Sequence, residues 1–94
     1  MADEKPKLTV KIINPDEILF EGTADYILAP GKETMLGLLP GHTPMFAELG
    51  KGELQVHSEK EENMAIESGI LRIKNDIVTI LVGAAPKIVD KPSA

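Results

Sequence analysis

Prolines, glycines and polar turn pairs interrupt this chain every roughly eight to twelve residues, and that spacing leaves room for short strands but not for helices of ordinary length. Asn14-Pro15, Pro30-Gly31, Pro40-Gly41, Gly50-Lys51-Gly52, Gly69 and Asn75-Asp76 are the main interruptions. Between them the apolar residues alternate with polar ones at the two-residue period of a half-buried strand, as in Leu8, Val10 and Ile12, or Leu54 and Val56. Helical spacing is poor throughout. The expectation is an all-β chain of about ten short strands, arranged as a two-sheet β-sandwich or flattened barrel.

Ninety-four residues suffice for one hydrophobic core. The expected organisation is a flexible segment over 1–7, a β-sandwich domain over 8–85 and a flexible tail over 86–94. Leu8, Val10, Ile12, Leu28, Leu54, Val56, Ile66, Ile73, Ile80 and Val82 are the expected core. Ala24, Tyr26 and Leu28 are read as one face of a third strand, and 59–63 as a hydrophilic loop tip. Gly69, set within extended structure, marks a bulge or a close backbone approach. Asn75-Asp76 supplies a two-residue hairpin turn.

Charge and motif content narrow the functions. A net charge of −5 and only three aromatic side chains, Tyr and Phe, do not make the basic, aromatic face of a nucleic-acid binder. Without cysteine there is no disulfide framework and no thiolate metal site. The acidic start does not read as a signal peptide, and the apolar run 77–82 is far shorter than the roughly 20 residues that span a bilayer. No phosphate-cradling glycine loop precedes a helix, and neither Ser58 nor Ser68 has a nucleophile-elbow context. No cofactor is expected. His42 and His57 could join a metal site only through long-range folding, which keeps a metal-assisted hydrolase as a minor alternative.

The remaining signal is the stretch 35–53. Leu36-Gly37-Leu38-Leu39-Pro40-Gly41-His42-Thr43-Pro44-Met45 joins two apolar runs through a stiff corner that presents His42. Met35, Leu36, Leu39, Met45 and Phe46 gather more apolar side chains near one bend than a small core obviously needs, so core and partner surface are both open readings for them.

This segment resembles the signature of the epsilon subunit of F-type ATP synthases. The resemblance runs in family order from Leu8 to about Ala85: Phe20-Glu21-Gly22, the central Leu-Gly-Leu-Leu-Pro-Gly-His-x-Pro, Leu49 to Leu54, Ser68-Gly69-Ile70-Leu71, and Asn75 to Leu81. Thr34 and Met35 depart from the family's frequent Gly-Glu. The resemblance implies a non-catalytic rotor subunit that binds the gamma subunit and rests on the c-ring, coupling rotation to ATP synthesis. It implies a gamma side at Pro40, Gly41, His42, Pro44, Met45 and Ala47, and a c-ring side at Gly31, Lys32, Glu33 and Met35. It further implies a monomer when isolated, held at the cytoplasmic face of a bacterial inner membrane through the complex alone. Family members usually continue into a two-helix domain; this chain ends in Pro92-Ser93-Ala94, and neither tight ATP binding nor inhibition by its own tail is expected. The alternative is a free-standing β-sandwich module for peptide or carbohydrate.

Overall fold

The computed structural model describes residues 6–83 together with Lys87 and Ile88. Its strands are β1 (Leu8–Ile13), β2 (Ile18–Ala24), β3 (Tyr26–Pro30), β4 (Met35–Leu38), β5 (Met45–Leu49), β6 (Gly52–His57), β7 (Glu61–Ile66), β8 (Gly69–Lys74), β9 (Ile77–Val82) and β10 (Lys87–Ile88). They form two five-stranded sheets, ordered β2-β1-β9-β8-β5 and β10-β7-β6-β3-β4. All pairings are antiparallel except β1 with β9, whose parallel register sets Val10 beside Val78 and Ile12 beside Ile80. The all-β sandwich of about ten strands is the architecture found.

The inner faces follow from strand parity. Leu8, Val10 and Ile12 of β1, Leu71 and Ile73 of β8, and Val78, Ile80 and Val82 of β9 are buried from one sheet. Ile27, Ala29, Leu38, Leu54, Val56, Met64 and Ile66 meet them from the other. Nine of the ten expected core residues are therefore buried, and Leu28 is not. At Asp25 the chain leaves one sheet for the other, and the corner resets the alternation. Ala24 closes β2 facing inward, after which Ile27 and Ala29 face inward while Tyr26 and Leu28 turn to the outside of the second sheet.

Two further expectations shift. Ser58-Glu59-Lys60 alone makes the β6–β7 turn, and Glu61, Glu62 and Asn63 belong to β7, where Glu61 pairs with His57 across the ladder. Charged residues sit in a strand when the face they occupy is solvated. Beyond Ala85, Lys87 and Ile88 pair with Ala65 and Met64, so β structure continues into the expected tail; its other residues, like 1–5, lie outside the described ones.

Gly69 starts β8 where the chain crosses between sheets, and a Cβ there would stand 2.7 Å from the carbonyl oxygen of Leu81. That is the close backbone approach its position in the sequence suggests. Strand propensity alone would favour alanine over glycine, whereas this contact forces β8 and β9 apart. Gly69→Ala is expected to lower stability by about 1–3 kcal/mol, read as an earlier urea midpoint. A midpoint at or above that of the unaltered chain would contradict the contact.

Candidate functional site

The loops gather at two ends of the sandwich. One end carries the Asp25 crossing, the corner 39–44 and the Asn75-Asp76 turn; the other carries the β1–β2 turn, the loop 31–34 and the Gly50-Lys51 turn. Strand β4 connects the two ends. Its four residues span about 13 Å, so the residues expected to face two different partners stand at opposite ends of one edge strand.

At the corner, the amide of His42 donates to the carbonyl of Leu39 at 3.1 Å, and Gly41 adopts φ 87°. Proline followed by a left-handed glycine, closed by that bond, makes a type II turn. Only glycine takes this φ without strain. The turn lifts Leu39 into solvent at 60% exposure and leaves His42 half-buried, one ring nitrogen (Nδ1) 2.8 Å from the carbonyl oxygen of Thr43. The Gly41 amide donates to the Asp76 carboxylate at 2.7 Å, a contact between residues 35 apart in sequence.

Beyond the corner, β5 separates the apolar cluster by parity. Met45 and Ala47 stand opposite the buried Ile73 and Leu71 and turn inward, Met45 packing against the core. Phe46, between them, points away from the core and is 68% exposed. Met45 and Ala47, assigned from sequence to the gamma side, thus face the core, and Phe46, whose signal was its place between inward neighbours, presents the surface instead. Leu36 likewise packs on the core, whereas Met35 is 51% exposed.

The outer face of this sheet is mixed: Phe46 lines up with Arg72, Thr79, Lys11 and Glu21, and the neighbouring row is largely apolar. Cross-strand register lines up Glu48, Ile70, Leu81, Ile13 and Ile18 across five strands. Ile18, Ile70 and Leu81 are exposed, and Ile13 is half-buried. Single exposed aliphatics need no explanation; a row of them over four adjacent strands marks a surface that prefers to be covered. The other sheet is polar outside. There Tyr26 stacks on His57 with ring centroids 4.3 Å apart, and His57 reaches Glu61 at 3.0 Å and Gln55 at 3.2 Å.

At the far end, Gly31 bridges to Leu49, the Lys32 amide donates to the Glu48 carbonyl, and the two side chains pair at 3.4 Å. Gly50 returns a bond to the carbonyl of Pro30. The loop is thereby tied to both sheets while Glu33, Thr34 and Met35 remain exposed. Next to it lies a shallow groove of about 440 Å³, walled by Pro15, Lys32, Leu49, Ile70 and Leu81. The groove joins the apolar row to the loop.

This geometry weighs on the alternatives. Among the described residues no three His, Cys, Asp or Glu side chains converge as metal ligands, and His42 and His57 have separate partners. For a sugar platform, Tyr26 is already stacked on His57 and Phe20 packs partly against the core, which leaves Phe46 as a single exposed ring.

Comparison with known proteins gives a consistent picture. The family model described as ATP synthase, Delta/Epsilon chain, beta-sandwich domain matches residues 7–88. The ATP synthase epsilon chain of Leptospira borgpetersenii serovar Hardjo-bovis is 39% identical over 87 residues, covering 89% of this chain and 68% of that one. The Synechococcus elongatus epsilon chain is 37% identical over 81 residues, covering 85% and 59%. A chain of the Euglena gracilis mitochondrial ATP synthase, seen by cryo-EM with OSCP, F1 and c-ring, superposes with a TM-score of 0.82 at 20% identity, over 94% of this chain and 57% of that one. A chain of the Tetrahymena thermophila central stalk and c-ring gives 0.70 at 18% identity, over 86% and 66%. At such identities the structural likeness speaks for the fold. The chain spans roughly three-fifths to two-thirds of the length of these relatives.

Proposed function

This chain belongs to the delta/epsilon family of ATP synthase subunits, as its β-sandwich domain, and from that premise we propose that it is a rotor subunit that couples the gamma subunit to the c-ring. It performs no bond chemistry itself. It sits at the cytoplasmic face of a bacterial inner membrane, through the complex alone.

In this reading the gamma side is the corner Pro40, Gly41, His42 and Pro44, followed by Phe46 and the apolar row on the outer face of the first sheet. Met45 and Ala47 contribute from behind, by holding β5 on the core. The c-ring side is Gly31, Lys32, Glu33 and Met35, at the other end of β4. The single observation that carries the reading is the concentration of exposed large apolar side chains, Met35, Leu39 and Phe46, on the one β4–corner–β5 unit that also bears the family signature. A buried aromatic anchor within an apolar patch is what a stable protein interface uses.

The test is reconstitution. Adding this chain to a bacterial enzyme stripped of its epsilon subunit is expected to restore ATP-driven proton pumping in membrane vesicles. Pumping that stays at the stripped level while the chain is present and folded would contradict the rotor role.

A further inference from the structure

The corner is held from outside itself. Its turn is closed by one internal bond, His42 to Leu39, and the amide of Gly41 is committed to the carboxylate of Asp76. Asp76 is placed for this by its own backbone. Asn75 and Asp76 take φ 53° and 62°, the two left-handed residues of a type I′ hairpin turn between β8 and β9. The carbonyl of the same Asp76 accepts the amide of Thr9 at 2.8 Å, one residue into β1. One residue therefore joins the start of β1, the β8–β9 hairpin and the corner.

The connection matters because, among the described residues, it is the only hydrogen bond from 39–44 to the rest of the fold. The corner leaves the second sheet at Leu38 and re-enters the first at Met45, and a type II turn by itself fixes the bend without fixing its direction. We propose that Asp76 is a positioning residue for partner recognition: its carboxylate, by binding the Gly41 amide, fixes where Leu39 and His42 stand relative to the outer face of the first sheet. The assignment rests on the rotor reading for the identity of the partner, the gamma subunit, and on the hydrogen bonds alone for the positioning. Asp76 does not itself need to touch that partner.

Two substitutions separate the bond from the turn. Asp76→Gly keeps the left-handed backbone, since Asn followed by Gly is the preferred pair for this turn, but removes the acceptor. Asp76→Asn tolerates the same φ and retains an oxygen. The unaltered chain and both variants would be compared by thermal unfolding, by hydrogen exchange of the Gly41 amide, and by titration with purified gamma. For Asp76→Gly the expected result is an unchanged or higher midpoint, Gly41 exchange about tenfold faster and gamma affinity about tenfold weaker, the scale of losing a hydrogen bond to a charged group. Asp76→Asn should recover most of both.

Gly41 protection and gamma affinity unchanged in Asp76→Gly would overturn the proposal. So would an Asp76→Asn variant as impaired as Asp76→Gly, which would make charge rather than the bond the cause. An Asp76→Gly chain that fails to fold would assign Asp76 to the fold instead of the corner. Should the unaltered chain not bind gamma, the rotor reading falls and takes the positioning role with it. Normal binding by the unaltered chain and by Asp76→Gly removes only the positioning role.

Discussion

Leu71→Ala is expected to destabilise the domain by about 2–5 kcal/mol, a large share of the roughly 5–15 kcal/mol that holds a domain of this size together. Leu71 is fully buried in β8, a strand interior to its sheet, opposite Ala47 on one side and Ile80 on the other. Truncation leaves a void between two sheets that are each held by ladder bonds, so neighbouring backbones have little freedom to collapse into it. Chemical denaturation should show a midpoint displaced well to the left with little change in slope. Lys60→Ala, at an exposed turn, should move it hardly at all. A loss below about 1 kcal/mol at Leu71 would mean that the two sheets are not packed as described.

The second large effect is on binding, and it contrasts two adjacent residues. Phe46→Asp should leave stability within about 0.5 kcal/mol, because the ring already stands in solvent, while weakening the gamma complex by more than about 2 kcal/mol, some thirtyfold in Kd. Met45→Asp should do the reverse damage first. Its side chain packs on the core opposite Ile73, so a carboxylate there is desolvated without a partner and the fold itself suffers. Measuring unfolding and gamma affinity for both variants checks the assignment of faces on β5. If Phe46→Asp binds gamma normally, the surface that Phe46 presents on β5 is not the contact.

How much of this was legible in the sequence depends on the range of the interactions involved. Parity within a strand is local, and the alternation of Leu8, Val10 and Ile12, or of Leu54 and Val56, correctly assigns the buried side. The hairpin at Asn75-Asp76 and the bend at Pro40-Gly41 are equally local, since each is written in backbone preferences of two residues. The crossing at Asp25 is not, because which sheet a strand joins is decided by pairing with β1 before it and β6 after it. Leu28 is misassigned for that reason. At the candidate site the motif identifies the bend, but the turning of Met45 inward and Phe46 outward depends on pairing with β8, and the Asp76 contact joins residues 35 apart. The resemblance supplies the partners, and the folded edge strand supplies the faces.

The most direct test of the two-ended rotor contact exploits the absence of cysteine from the chain. Single cysteines introduced as Lys32→Cys and Thr43→Cys stand at opposite ends of β4, both exposed, and each can carry a photoactivatable maleimide into the assembled ATP synthase. With the corner facing gamma and the 31–35 loop facing the c-ring, the label at position 43 forms adducts with gamma and the label at position 32 forms adducts with the c subunit. Adducts with the partners exchanged, or with neither partner in an enzyme that has incorporated the chain, would contradict this arrangement.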